Sequence, residues 1–92
     1  MRYTVRFRPA ARREFLALPK DVRQRIAAAL ERLAEDPYRS GSEPLRRGLR
    51  GRRKYRVGDY RIVYAVEQDV LVVRVITVEH RSRVYGKAER RS

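Results

Sequence analysis

Tyr3, Val5 and Phe7 alternate with Arg2, Thr4, Arg6 and Arg8 at the head of the chain, the two-residue period of a strand with one apolar and one cationic side. Pro9 stops that ladder but suits the first turn of a helix, where its missing N–H is not needed and its fixed φ is already right. The spacing predicts a helix from about Pro9 to Leu18 with Ala11, Phe15 and Leu18 on one stripe. A second helix is predicted from about Pro19 to Glu35, with Val22, Ile26, Ala29, Leu30 and Leu33 on one face and Arg23, Gln24, Glu31 and Arg32 on the other. Asp21 lies in its first turn, where a carboxylate complements the dipole. Asp36-Pro37 ends it, because the residue before a proline avoids helical dihedrals. From Tyr38 to Gly51 no period is visible, so a loop of about a dozen residues is expected, a length that in a compact domain commonly serves function.

The stretch from Lys54 to Tyr64 reads as two strands joined at Gly58-Asp59, a dipeptide suited to a two-residue hairpin turn. Counting outward from that turn sets Val57 opposite Tyr60, Arg56 opposite Arg61, Tyr55 opposite Ile62 and Lys54 opposite Val63. Lys54, Arg56 and Arg61 then share one face, while Tyr55, Tyr60, Ile62 and Tyr64 share the other. Cations directly opposite one another destabilise a strand pair by a few tenths to about 1 kcal/mol. A local rule broken in this way marks a candidate functional place. After a turn at Glu67 to Val70 comes an apolar run rich in β-branched residues, expected to be a central strand covered on both faces over much of its length. Arg74, the cation inside it, falls on the Arg61 face if that turn is even-numbered. A short helix is expected from Ser82 onward.

These elements make an α+β domain: an N-terminal strand, a two-helix hairpin and a three-stranded antiparallel meander, with the helices packed on one face of a small sheet. At 92 residues the chain supports one modest core, so residues 1–92 are read as a single domain. The face away from the helices is left to the cations.

Charge narrows the partner class. Lys and Arg number 24 against 11 Asp and Glu, a net charge of +13, and such an excess attracts polyanions with an affinity that falls steeply with salt. Nucleic acid leads. An acidic protein partner is compatible with it, whereas a membrane surface calls for a wide apolar helix face, and the apolar stripes here are committed to a core. The absence of cysteine and the single histidine, His80, leave no basis for a thiolate or multi-histidine metal centre, and no cofactor is expected. No apolar run approaches the roughly 18 residues of a membrane helix, and no signal core precedes the first strand, so a soluble, cytoplasmic protein is expected.

From Arg46 to Arg56 there are seven cations and no acid: Arg46, Arg47, Arg50, Arg52, Arg53, Lys54 and Arg56. With Arg61, and with Arg81 and Tyr85 near the end of the last strand, they suggest a phosphate site. Guanidinium groups bind phosphate through two parallel N–H bonds and neutralise charge that grows on it. Neighbouring like charge disfavours an ammonium, which makes Lys54 the candidate proton acceptor. Tyr85 can stack on a base or exchange a proton. RNA carries its own nucleophile in the 2′-hydroxyl; DNA does not. The candidate catalytic set is therefore Lys54, Arg56, Arg61, Arg81 and Tyr85, with Arg46, Arg47, Arg50, Arg52, Arg53, Arg74, His80 and Arg83 as RNA-binding candidates. The residues alone leave three readings open: catalysis on RNA, nucleic-acid binding without catalysis, and a solvated basic surface.

Lys54-x-Arg56-Val57-Gly58-Asp59-Tyr60-Arg61-Ile62-Val63-Tyr64, followed by an apolar strand and then His80-Arg81 and Tyr85, resembles the RelE/ParE superfamily of toxins from toxin–antitoxin modules. The likeness extends over nearly the whole chain, including the helical hairpin that ends at Asp36-Pro37. The RelE branch implies a ribosome-dependent mRNA endoribonuclease in which Lys54 matches the general base, Arg56 a supporting cation and Arg61 the main phosphate-stabilising arginine. Arg81 matches the second arginine and Tyr85 the tyrosine that orients substrate. The ParE branch shares the fold but implies a DNA gyrase inhibitor with no nuclease site. Both imply an antitoxin with an acidic, amphipathic segment; the RelE branch adds the ribosome and mRNA as partners, and neither implies a membrane.

Overall fold

The computed structural model of the chain describes residues 2–45 and 51–81. β1 (Thr4–Phe7) runs into α1 (Pro9–Leu16) with Pro9 in the first turn, and α2 (Lys20–Glu35) follows. α1 stops two residues before the expected Leu18 because Leu18 precedes Pro19 and avoids helical dihedrals; the Leu18 N–H closes a tight turn on the Phe15 carbonyl at 3.2 Å instead. The apolar stripe of α2 buries Ile26, Ala29, Leu30 and Leu33, and Ala11 of α1 joins them against Ile62, Tyr64, Val73, Val75 and Val78 of the sheet. Tyr3, Tyr55 and Tyr60 pack partly buried around this core.

β2 (Ser42–Pro44), β3 (Arg52–Val57), β4 (Tyr60–Glu67) and β5 (Val72–His80) complete the elements among the described residues. The sheet has five strands in the order β1-β5-β4-β3-β2. β3, β4 and β5 form the expected antiparallel meander, and β1 lies parallel to β5. The expected loop from Tyr38 to Gly51 is interrupted by β2, a three-residue edge strand antiparallel to β3. Pro44 is tolerated there because an edge strand can spare the donor that proline lacks. The expected helix from Ser82 lies outside the described residues.

One irregularity determines what each face carries. Val63 pairs with Thr77, yet Tyr64 pairs with Val75, so Ile76 is an extra residue in β5. A bulge of this kind flips the side-chain alternation along the strand that holds it. Val78 on one side of it and Val75 and Val73 on the other all reach the core, while Arg74 and Glu79 face away from the helices. Without it, strict alternation from Val78 would carry Arg74 inward. Beyond the end of β1 the edge of β5 is covered by α1: Glu14 Oε1 accepts from Thr77 Oγ1 at 2.8 Å and from the Val78 N–H at 3.1 Å.

The far edge is tied by a hydrogen-bonded chain. Tyr64 is fully buried, and its hydroxyl donates to the Pro37 carbonyl at 2.6 Å. That leaves the Ser42 hydroxyl to donate to Tyr64, and Arg53 Nε donates to Ser42 Oγ at 2.7 Å. Burial pushes the Tyr64 phenol up from its ordinary value, only partly offset by its hydrogen bonds with Ser42 and Arg53. The unfolded phenol ionises near pH 10 while the folded one does not, so this contribution to stability is complete below about pH 10 and is lost as pH rises through the folded value. Tyr64→Phe is expected to cost about 1–3 kcal/mol by orphaning Pro37 and Ser42. Urea unfolding of wild type and variant at pH 8 and above pH 10 measures both effects, with the gap between the two proteins narrowing at the higher pH.

Candidate functional site

The β3–β4 turn has Gly58 at φ 58° and no positive φ at Asp59, a combination only glycine adopts freely at the first turn position. The Arg25 guanidinium of α2 lies across Gly58 where a Cβ would meet it, but as the end of a flexible side chain it can swing aside, so the positive φ is what calls for glycine there. This turn fixes the hairpin register predicted from sequence: Arg56 opposite Arg61 and Lys54 opposite Val63.

On the face away from the helices lies an open cleft of about 290 Å³, lined by Gly41, Glu43, Lys54, Arg56, Asp59, Tyr60, Arg61 and Arg81. Its size is at the lower end of small-molecule pockets, enough for one reacting unit of a longer ligand. Lys54, Arg56, Arg61 and Arg81 thus meet in one place. The Arg81 N–H bonds the Asp59 carbonyl at 2.7 Å, which continues the ladder one step past β5 and brings Arg81 to the cleft.

The expected like-charge conflict is relieved locally, because each cation has its own tether. Arg56 Nε turns back onto the Gly58 carbonyl at 3.1 Å. Arg61 Nη2 meets Glu79 Oε2 at 2.9 Å across the β4–β5 pair. Lys54 Nζ stands 3.9 Å from Glu43 Oε1 across the β2–β3 pair. Arg61 Nε is shielded from solvent and has no hydrogen-bond partner among the described residues.

Glu43 and Glu79 escaped sequence reasoning for separate reasons. Glu43 sits in a three-residue strand with no period to reveal it. Counting back from Glu67 opposite Val72 without a bulge would place Val78, not Glu79, across from Arg61.

The remaining candidates separate. Arg52 and Arg74 flank Ala65 on the cationic face, but Arg74 lies outside the cleft lining and is held by Glu67 through bonds of 2.7 and 3.2 Å. Each partner favours the other's charged form: the Glu67 carboxyl is lowered by its bond to Arg74, and the Arg74 guanidinium is raised by its bond to Glu67. Arg53 points to the opposite face, bonded to Ser42 and stacked over Tyr38 at 4.9 Å. His80 packs edge-on against Tyr60 at 5.0 Å, one residue from the strand position that faces Arg61. Arg46, Arg47, Arg50, Arg83 and Tyr85 lie outside the described residues. No helix among the described residues is long and apolar enough to cross a membrane.

Residues 5–85 match a family model described as the ParE toxin of type II toxin–antitoxin systems. The chain is 37% identical over 91 residues to Toxin RelG of Mycobacterium tuberculosis, spanning 95% of this chain and 100% of that one. It is 36% identical over 88 residues to Toxin RelE of the same organism, spanning 90% and 86% of the two chains. Among solved structures it is similar to a RelBE toxin–antitoxin complex of M. tuberculosis, with a TM-score of 0.79 and 35% identity over 88% of this chain and 100% of that one. It is also similar to the isolated E. coli RelE toxin, with a TM-score of 0.75 and 31% identity over 97% of each chain.

The tethers predict which cations contribute to polyanion binding. For a single-stranded RNA oligomer, log affinity against log salt falls by about 0.7 for each phosphate neutralised. Arg56→Ala, which removes a guanidinium tethered only to a neutral backbone carbonyl, should reduce the wild-type slope by about one such unit, whereas Arg74→Ala, which removes a cation already matched by Glu67, should leave it nearly unchanged. Fluorescence titrations at several salt concentrations measure the three slopes.

Proposed function

For a chain that belongs to the RelE/ParE superfamily of toxins of toxin–antitoxin modules, on its RelE branch, we propose that the basic cleft is the nuclease site of a ribosome-dependent mRNA endoribonuclease. The observation that carries this reading is the convergence of Lys54, Arg56, Arg61 and Arg81 on one open cleft. In the reaction, the 2′-hydroxyl oxygen attacks the adjacent phosphorus, and Lys54 as the amine accepts its proton. Arg61, supported by Arg56, binds the non-bridging oxygens, whose charge grows as the new bond forms. The bond to the 5′ oxygen breaks, and Arg81 neutralises the charge left there until that oxygen takes a proton. The products are a 2′,3′-cyclic phosphate and a 5′-hydroxyl. Tyr85 has the role of stacking on the substrate base, and the ribosome that of presenting the mRNA in its A site. Binding of the RNA or ribosome is also assigned to Arg46, Arg47, Arg50, Arg52 and Arg83.

An antitoxin with an acidic, amphipathic segment is the proposed protein partner, supported by the net charge of +13 and by similar toxins solved in complex with RelB. The matching family model favours a second reading, since its description is that of a ParE toxin. As a gyrase inhibitor the protein would bind its target with no RNA chemistry.

Induced expression followed by mapping of RNA 5′ ends separates the two. The nuclease reading expects new ends within coding regions and a loss of about a hundredfold in cutting for Arg61→Ala, the usual cost of removing one preorganised donor. Undiminished cutting by an Arg61→Ala, Arg81→Ala double variant would contradict it, and inhibited DNA supercoiling with no new RNA ends would favour the gyrase reading.

A further inference from the structure

We propose that Glu79 is a positioning residue for the reaction, holding the Arg61 guanidinium in place to receive the phosphate. The inference rests on the reading of the cleft as a nuclease site. An arginine on a strand has several free torsions, and ordering them carries an entropic cost if nothing does so in advance. Arg56, directly opposite, repels Arg61 without fixing it. Glu79 is directly opposite on the other neighbouring strand and accepts from Nη2 at 2.9 Å. Its own side chain is only 18% exposed, and the strand just before it is anchored by the two bonds that Thr77 and Val78 donate to Glu14.

The arrangement leaves donors to spare. One hydrogen of Nη2 goes to Glu79, and Nε is shielded from solvent, so the other hydrogen of Nη2 and the two of Nη1 remain for phosphate. Glu79 therefore does not have to release Arg61 when substrate arrives. Its charge works against anion binding while its hydrogen bond fixes geometry, and those two effects are separable: Glu79→Gln keeps an acceptor oxygen and loses the charge, and Glu79→Ala loses both.

Single-turnover cleavage on ribosomes programmed with mRNA distinguishes them, with thermal melts to establish that each variant is folded. Both variants should reach half-saturation at toxin concentrations no higher than wild type, since both remove a negative charge from beside Arg61. At saturation Glu79→Gln should cut within about threefold of wild type, whereas Glu79→Ala should be about ten- to a hundredfold slower, the range expected when a reacting group is misplaced by an ångström or less. A wild-type saturating rate in Glu79→Ala overturns the proposal. Equal slowing by both variants overturns it too, because charge and not the hydrogen bond would then be responsible.

Nitrogen NMR of the Arg61 side chain tests the same contact without any cleavage, so that a failure of the nuclease reading is not mistaken for a failure of this one. While Glu79 holds Nη2, rotation of the guanidinium is slow and the Nη1 and Nη2 signals stay separate. They should be separate in wild type and Glu79→Gln and merge in Glu79→Ala; separate signals in Glu79→Ala would overturn the positioning role.

Discussion

One extra residue in β5, Ile76 opposite the step from Val63 to Tyr64, decides which side chains of this sheet meet the helices and which meet the cleft. On the Arg74 side of the bulge it turns Val73 and Val75 into the core and Arg74 out to Glu67. On the His80 side it turns Val78 inward and sets Glu79 across from Arg61. Core and site are therefore not independent: the same slip in register that fills the space under α2 also supplies the carboxylate beside the main candidate phosphate ligand. Strict alternation back from Val78 would turn Val75 and Val73 outward and Arg74 inward, a large penalty for an unpaired charge.

The sheet's two faces divide the work. α1 and α2 take one face and bury the apolar stripe, leaving a face on which cations can gather without having to be buried. They gather at low cost because each is held separately, Arg56 by its own turn, Arg61 by Glu79 and Lys54 by Glu43. Such tethers allow several positive groups to stand close together yet keep N–H donors free for a phosphate. In the proposed reading, the hairpin with facing arginines is a preorganised anion site rather than a strained strand pair.

The hairpin was legible because a Gly-Asp turn and the two-residue period leave little choice of register, and the bond pattern follows that count from Lys54 to Tyr64. The helices were legible from their stripes, and the proline positions set their ends to within two residues. What escaped was anything dependent on partners distant in sequence. Val75, Ile76 and Thr77 are all good strand formers, so nothing local marks Ile76 as a bulge. Arg53 and Arg74 look alike in a basic sequence, yet one serves the Tyr64–Ser42 chain and the other is matched by Glu67. Composition counts both as cations for RNA; only tertiary placement tells them from Lys54, Arg56, Arg61 and Arg81.

Because the chain contains no cysteine, the register that builds the cleft can be tested directly by paired cysteines and mild oxidation. Arg61→Cys with Glu79→Cys places two thiols directly opposite across β4 and β5, within the span a disulfide bridges. The bulge-set register predicts that this pair closes readily while Arg61→Cys with Val78→Cys does not. Preferential closure of the Val78 pair would contradict it, and with it the placement of Glu79 beside Arg61.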